Sequence, residues 1–265
     1  MSELLRALRT RAYRAVFRLE SRRLRRFKDV HRGAERCFVL GNGPSLKTQD
    51  LTLLKDEVTF GVNWILVHDA FDAIGLDYLC MSNPIQWRPA GTLPAEMLEG
   101  IRRHPELTLF FEHSFLRLNL RKRLIDRRRC YGVYVDYRRP AYRGYASLDP
   151  AKYTCHGHTV IIDLCLPLAY YMGFREVYLL GCDCDYRLDA APDFSDAYFY
   201  DIGKQTLPPD SPAYLTGAWL DRAFASYETL NRAFAAGGGA IYNATAGGKL
   251  EVFPRRRYEE VLCGT

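Results

Sequence analysis

The chain alternates short apolar runs with longer stretches of helical spacing from residue 36 onward. The runs at 37–40, 58–62, 78–81, 107–111, 176–180 and 240–243 each span four or five residues, which is the length of a strand. A helical pattern over 159–172 leads into the run at 176–180, and another over 220–236 precedes the last run. This alternation predicts a mostly parallel sheet flanked by helices, here a single Rossmann-like α/β domain over residues 36–262.

Two segments of this domain show no clear periodicity. Residues 112–153 and 187–215 are rich in Tyr, Arg, Pro and Asp. Long stretches of this kind inside a compact domain are typical of functional loops. We predict that both are lid-like insertions over the carboxyl edge of the sheet.

The first 32 residues have a different character. They hold eleven basic residues against three acidic ones, so they carry +8 while the whole chain carries +6. Five apolar residues recur at helical spacing in this segment: Leu5, Leu8, Ala12, Val16 and Leu19. The pattern predicts a separate basic amphipathic helix over residues 1–32.

Two interpretations of this helix remain open. Residues 4–31 suit an anionic membrane surface, where each basic residue contributes about 1 kcal/mol. The alternative is a helix that packs on the body or on another subunit of a homo-oligomer. Nucleic acid is not an expected partner, since no nucleic-acid-binding motif accompanies the charge.

Composition excludes several classes of protein. Hydrophobic residues make up 48% of the chain and charged residues 26%, as in an ordinary globular domain. The eight cysteines form no CxxC pair, which argues against a structural zinc site. The chain shows no signal peptide and no apolar run of about 18 residues. We therefore expect a cytoplasmic protein that is peripheral at the inner face of the membrane.

A turn rich in small residues directly follows the first predicted strand. Gly41 and Gly43 permit a close approach of the backbone to a ligand, and Asn42 and Ser45 supply polar groups. The segment is not a GxGxxG motif, so it does not indicate a dinucleotide site. Its position at the carboxyl end of a strand favours ligand binding over an ordinary tight turn.

Asparagines also end the next two predicted strands. Asn63 follows the second strand and Asn83 the third. An amide both donates and accepts hydrogen bonds, which suits a nucleobase edge or a sugar hydroxyl. Together with Asn42 they predict one ligand-facing edge, although each is also a common turn residue.

Two histidines precede the helical pattern that starts at Thr159. His156 or His158 is a candidate general base, and Thr159 can bind a phosphate at a helix N-terminus. The alternative is a pair of loop histidines followed by an N-cap threonine.

Polar groups also follow the last two strands of the predicted sheet. Asp183 and Asp185 could hold a divalent cation, or Asp183 could shape the pocket through loop amides, and Tyr186 could donate to a departing phosphate. Asn243 and Thr245 offer ligand contacts or form a polar turn.

These segments, in this order, resemble two related families. One is glycosyltransferase family 42, the bacterial sialyltransferases that use CMP-sialic acid. The other is the 6-hydroxymethylpterin pyrophosphokinase-like family, which includes the motility accessory factors. The likeness spans residues 36–258 and rests on segments 41–46, 168–183 and 243–255, with Asn63 and Asn83 matching asparagines that hold the CMP-sugar. It implies a GT-A-type variant of the Rossmann-like fold.

The chain departs from the sialyltransferases at the catalytic base. Those enzymes place a histidine beyond the segment that matches 168–183, whereas no histidine follows His158 in this chain. Tyr186 lies one position later than the first of the two tyrosines that contact the leaving phosphate in that family.

The resemblance implies a glycosyltransferase that uses a nucleotide-activated sugar, CMP-linked and of the sialic or other nonulosonic type, in bacterial surface glycan synthesis. The acceptor would be a glycan or a lipid-linked saccharide, and no metal or other cofactor is expected. The rival is an ATP-dependent pyrophosphokinase in which Asp183 and Asp185 bind Mg²⁺. A non-catalytic nucleotide-binding protein is the third possibility.

Overall fold

The computed structural model describes residues 17–82, 92–185, 198–199 and 217–263. Nine strands lie in these ranges: β1 (Arg36–Leu40), β2 (Thr59–Val62), β3 (Tyr78–Met81), β4 (Thr108–Glu112), β5 (Cys130–Val133), β6 (Val135–Asp136), β7 (Thr154–Cys155), β8 (Glu176–Leu180) and β9 (Ala240–Asn243). Seven form one sheet in the order β5-β4-β3-β2-β1-β8-β9, and every pairing in it is parallel. The predicted α/β class is therefore confirmed.

Helices connect these strands. They are α1 (described over 17–24), α2 (Phe71–Ile74), α3 (Ala95–Arg103), α4 (His113–Arg121), α5 (Leu166–Met172), α6 (Gly217–Ala236) and α7 (Tyr258–Cys263). Short 3-10 turns lie at Arg25–Phe27, Pro44–Lys47, Leu51–Leu54, Asn63–Val67 and Ala141–Arg143. The helix predicted over 159–172 begins as a π-helical turn at Ile161–Cys165 and continues as α5.

The core lies on both faces of the main sheet. Side chains of a strand alternate between the two faces, so Cys37 and Val39 of β1 pack on one side while Phe38 and Leu40 pack on the other. All four side chains are fully buried. Burial on both faces explains why the strands appear in the sequence as continuous apolar runs.

One predicted lid is part of this sheet. Within 112–153 the chain forms α4 and then β5. β5 pairs with β4, with Cys130 opposite Leu109, and is the seventh strand of the sheet. The lid interpretation of that segment is thus wrong for residues 113–133. Of the second predicted lid, 187–215, all but residues 198–199 lie outside the described residues.

The described part of the basic arm packs on the body. Leu24 is 1% exposed, and the Phe27 ring meets Phe110 and Tyr131 edge-on at centroid distances of 5.0 and 4.7 Å. The buried Glu20 carboxylate accepts a 2.9 Å hydrogen bond from the Gly132 amide and contacts Arg127. These contacts favour the packing interpretation for residues 17–34.

The end of the basic arm, residues 29–32, is hydrogen-bonded to α5. The amides of Asp29 and His31 donate to the carbonyls of Tyr171 and Met172, at the end of α5. Gly173 lies so close that an added Cβ would be 2.8 Å from the Arg32 nitrogen. The sequence predicted that residues 1–32 form a helix separate from the body. Residues 20–32 instead belong to the folded body.

We expect Phe27→Ala to lower the free energy of unfolding by about 3 kcal/mol, because it removes a buried aromatic ring. Leu19 lies in α1, just before the turn that holds Phe27, and in the apolar stripe predicted from the sequence, yet it is 53% exposed. Leu19→Ala is the control and should change stability by less than about 0.5 kcal/mol. Urea unfolding of both variants measures the difference; equal effects would show that the arm does not pack as described.

Candidate functional site

The strand order reverses direction at β1. From β1 the chain builds the sheet outward through β2, β3, β4 and β5, and it later returns to add β8 and β9 on the other side of β1. In open α/β sheets, ligands bind at the carboxyl ends of the strands at such a switch point. The loops that follow β1 and β8 are therefore the first place to look for a site.

These two loops are joined by hydrogen bonds. The Gly41 amide donates to the Leu180 carbonyl at 2.7 Å, and the Gly43 amide donates to the Gly181 carbonyl at 2.8 Å. A Cβ on Gly41 would lie 2.2 Å from the Gly181 oxygen. Glycine at 41 is thus required by close contact with the Gly181 backbone. The sequence predicted a close backbone approach to a ligand at this position.

Asp183 fixes the turn from the β8 side. Its two carboxylate oxygens accept hydrogen bonds from the Ser45 amide at 3.2 Å and the Ser45 hydroxyl at 2.7 Å. Burial raises the pKa of the Asp183 carboxyl, and the hydrogen bonds from Ser45 oppose that rise. Of the two roles predicted for Asp183, this geometry matches the one in which it shapes the pocket.

Asn42 is the residue of this turn that points to a ligand. It is 8% exposed, and its side-chain oxygen is buried without a hydrogen-bond partner among the residues that the structure describes. Leaving such an acceptor unsatisfied costs about 1–3 kcal/mol, so a buried amide of this kind calls for an explanation. A ligand that donates to Asn42 would supply one. The Asn42 carbonyl already accepts from the Phe199 amide at 3.0 Å.

Asn63 lies at the equivalent end of β2. It is 6% exposed, and its φ of 45° is in the left-handed region, which asparagine tolerates better than most residues. Cys184 and His158 also have positive φ, at 50° and 68°. Backbone strain of this kind is frequent at functional sites. Asn83 lies outside the described residues.

A histidine and a carboxylate form a pair beyond the small β6–β7 sheet. His156 Nδ1 is 3.2 Å from Asp163 Oδ2, and the Gly157 amide donates to Asp163 Oδ1 at 2.6 Å. Asp163 is 3% exposed and lies in the π-helical turn, a feature common at functional sites. A carboxylate at Nδ1 favours the tautomer whose Nε2 carries a lone pair, which is the form of a general base.

His158 has a different environment from its neighbour. The two rings are 4.6 Å apart. Burial, together with the charges of His156 and Arg222, lowers the pKa of His158 to about 4, against the opposing charge of Asp163. Its Nε2 is buried, and no described residue forms a hydrogen bond with it. The imidazole is therefore neutral at physiological pH, and the structure separates two histidines that the sequence left equivalent.

Tyr227 of α6 links this segment to the loop after β8. Its buried hydroxyl is 3.4 Å from the Thr159 hydroxyl. Burial raises the pKa of the Tyr227 hydroxyl, and the nearby thiols of Cys184 and Cys182 raise it too. Thr159 Oγ1 also accepts from the Ile162 amide, as an N-cap does. Thr159 thus has the capping role that the sequence offered as its alternative.

The remaining predicted residues are engaged with the protein. Asp185 pairs with the Lys249 ammonium at 2.6 Å. The Lys249 backbone amide donates a hydrogen bond to the Asp183 carbonyl and so holds the same loop. Asn243 uses both amide atoms, donating to the Leu250 carbonyl and accepting from the Thr245 amide. Thr245 accepts from the Cys182 amide at 3.0 Å. Tyr186 lies outside the described residues.

These contacts weaken the metal-site hypothesis. Both Asp183 oxygens accept from Ser45, and Asp185 Oδ1 pairs with the Lys249 ammonium, so Mg²⁺ would compete with these contacts for the two carboxylates. Within the ranges that the structure describes, no cluster of three His, Cys, Asp or Glu residues has the spacing of a metal site. Asn243 and Thr245 likewise match the polar-turn alternative, since they hold the loop beside Asp183.

Sequence reasoning missed two residues of this region. Asp163 was hidden because it lies in an otherwise apolar helical run, although an acidic residue there is itself an unusual signal. Tyr227 was hidden because an aromatic residue in an amphipathic helix is ordinarily part of the core. Both become visible only when the loop, the π-helical turn and α6 meet.

Comparison with solved structures shows that other proteins share this arrangement of strands and helices. The chain is similar to the sialyltransferase CstII from Campylobacter jejuni, solved in complex with the substrate analogue CMP-3FNeuAc. The TM-score is 0.50 at 14% sequence identity, over 83% of this chain and 85% of that chain. No protein-family model matches the chain, and no curated protein matches it. The likeness shows the shared fold.

Proposed function

We propose that this protein is a glycosyltransferase that takes its sugar from a nucleotide-activated donor, CMP-linked and of the sialic or other nonulosonic type. The observation that carries the proposal is the His156–Asp163 pair, in a parallel-sheet fold whose switch point holds the unsatisfied Asn42 oxygen. A binding edge and an oriented base are the two parts that sugar transfer requires. The sialyltransferase that shares this fold was solved with a CMP-sugar analogue, which supports the donor class.

In this proposal the nucleotide lies over the switch point. Asn42 and Asn63 hold the nucleotide. The family resemblance assigns Asn83 to the nucleotide and Tyr186 to its phosphate, and both lie outside the described residues. Gly41, Gly43 and Ser45 give the turn its shape, and Asp183, Asn243 and Thr245 maintain the shape from beneath through the hydrogen bonds described above.

The reaction then follows from the state of His156. Its Nε2 lone pair takes the proton of an acceptor hydroxyl, and the oxygen attacks the anomeric carbon of the donor. The bond from that carbon to the phosphate oxygen breaks, its electron pair leaves with the nucleotide, and the configuration inverts. A positioned base of this kind contributes about 10²–10⁴-fold to a rate.

The rival function, ATP-dependent pyrophosphoryl transfer, requires bridging Mg²⁺ to neutralise the phosphate charge. Its predicted ligands, Asp183 and Asp185, are committed to Ser45 and Lys249. A CMP-sugar releases a single phosphate group and places no such demand on the protein. The contacts of these two carboxylates therefore favour the glycosyltransferase.

We also propose that the protein works at the inner face of a bacterial membrane on a glycan or lipid-linked acceptor. Leu19 and Val30 are each 53% exposed, and Arg18, Arg22, Arg25 and Arg26 around them are exposed too. Apolar side chains surrounded by arginines suit an anionic lipid surface. Among the residues that the structure describes, no helix has the length and apolar character needed to cross the bilayer.

The binding edge can be tested at Asn42. Asn42→Ala should weaken CMP binding by about 1–3 kcal/mol, because the base or ribose loses its partner. Calorimetry with CMP measures the change. Asn231→Ala is the control, since Asn231 lies in α6 and its side chain donates to the Val252 carbonyl. Equal CMP affinity in wild type and Asn42→Ala would remove Asn42 from the site.

A further inference from the structure

A row of aromatic rings extends outward from the His156–Asp163 pair. The Tyr137 ring is 4.6 Å from His156, which is 4.6 Å from His158 in turn. The His158 ring then lies 5.5 Å from Tyr142 and 6.5 Å from Trp219. Three segments of the chain thus bring their rings to one surface beside the proposed base.

Two guanidinium groups lie on the outer end of this row. The Arg222 guanidinium carbon is 5.3 Å from the Tyr142 ring centroid, and that of Arg143 is 5.7 Å from it. Both arginines are exposed, and over the described ranges neither forms an ion pair with a carboxylate. Two acids of the neighbouring segments are paired: Asp136 with Arg138 and Arg139, and Asp163 with His156.

Rings and guanidinium groups in this arrangement match one class of ligand. Sugar rings pack their C–H faces on aromatic side chains, and a guanidinium binds a carboxylate or phosphate through paired hydrogen bonds. Between them the unsatisfied Nε2 of neutral His158 offers a partner for a sugar hydroxyl. An uncharged sugar would leave both arginines unused.

We propose that Tyr142, His158, Trp219, Arg143 and Arg222 form the acceptor subsite, and that it binds a saccharide carrying an acid group. The ring of the acceptor packs against Tyr142 and Trp219 with its acid group at Arg222 and Arg143. One of its hydroxyls then reaches His156, whose ring is 4.6 Å from that of His158. The identification of this ligand as an acceptor rests on the proposed glycosyltransferase function; the acidic-saccharide site itself does not.

Ligand-observed NMR titration of the full-length protein tests the site directly. Glucuronate and glucose 6-phosphate serve as carboxylate and phosphate probes, with glucose as the neutral counterpart of both. We expect at least one acidic sugar to bind about tenfold more tightly than glucose, the ratio that 1.4 kcal/mol from a charge-assisted pair provides. Arg222→Gln should abolish this preference, and Trp219→Ala should weaken all three sugars.

Arg175→Gln is the matched control. Arg175 also lies over a tyrosine, with its guanidinium 4.3 Å from the Tyr170 ring, but it precedes β8 at the opposite edge of the sheet. It should leave the preference intact. The proposal is overturned if glucose binds as tightly as both acidic sugars, if none of the three binds, or if Arg222→Gln keeps the preference.

A transfer assay separates this proposal from the proposed function. If the chain transfers sugar but Arg222→Gln leaves the KM for an acidic acceptor unchanged, the subsite is wrong and the glycosyltransferase stands. If no transfer occurs with any donor while the acidic preference and its loss in Arg222→Gln persist, the site stands and the glycosyltransferase fails.

Discussion

His156→Ala is expected to lower the rate of sugar transfer by about 10²–10⁴-fold. The imidazole is the group that removes the acceptor proton, and its Nδ1 is held by a carboxylate that is 3% exposed. Binding of the nucleotide should stay within about twofold, because the base acts on the acceptor. Single-turnover kinetics with saturating donor, beside calorimetry with CMP, would separate the two quantities.

Asp163→Asn tests whether the carboxylate orients the base. Asparagine can still accept from the Gly157 amide, but its own amide group would face His156 Nδ1 as a donor. The proton would then move to Nε2, where the base needs its lone pair, so most of the loss seen in His156→Ala should recur and the pH profile should change. His104→Asn is the control. His104 lies at the end of α3, outside the proposed site, and it also pairs with carboxylates, those of Asp72 and Glu106. Unchanged transfer in both Asp163→Asn and His156→Ala would remove the pair from the mechanism.

Gly41→Ala should destabilise the fold by about 3 kcal/mol and abolish nucleotide binding. Its Cβ would lie 2.2 Å from the Gly181 oxygen and 2.9 Å from the Gly181 carbonyl carbon, both backbone atoms of the loop after β8. Neither can move without breaking the Gly43 to Gly181 hydrogen bond that shapes the turn. Thermal unfolding and CMP calorimetry would measure the two effects.

Gly217→Ala is the control for the glycine experiment. A Cβ at Gly217, the first residue of α6, meets no atom of the described residues within 4 Å. Its melting temperature and CMP affinity should match those of the wild type. A Gly41→Ala protein that still melts and binds like the control would show that the two loops are not in contact as described.

The strands could be predicted from the sequence because both sheet faces are covered. Burial on two sides makes Phe38 and Val39 equally apolar neighbours, and such runs are visible without a structure. β5 was missed because its short run at Cys130–Val133 follows three arginines. One of them, Arg129, donates to the carbonyl of Ile101, so the charged stretch that looked like a lid is an anchor of the sheet.

The packing of the arm was hidden by its charge. The sequence showed an apolar stripe through Leu19, but the face that packs on the body carries Glu20, Leu24 and Phe27. A buried glutamate breaks the hydrophobic pattern, and its partners, the Gly132 amide and the Arg127 guanidinium, explain why it is tolerated there. Helical periodicity therefore predicted a helix over 1–32, of which the structure describes α1 over 17–24 followed by a 3-10 turn, and it did not predict the buried face.

The site was predictable in its position and less so in its roles. Turns after parallel strands meet at one edge, so residues 41–45 and 181–185 could be brought together on topology alone. Which polar groups serve a ligand and which hold the backbone depends on their partners in space. Asp183, Thr245 and Asn243 are engaged with the protein, whereas Asn42 retains an unsatisfied oxygen.

Calorimetric titration with nucleotides tests the central claim most directly. The protein would be titrated with CMP, UDP, GDP and ATP, and with a CMP-sugar, each in EDTA and again with excess Mg²⁺. The proposed function predicts that CMP and the CMP-sugar bind with the same affinity in both buffers, and that the other nucleotides bind more weakly. Tight binding of ATP that appears only with Mg²⁺, with no binding of CMP, would contradict the glycosyltransferase and favour the pyrophosphokinase.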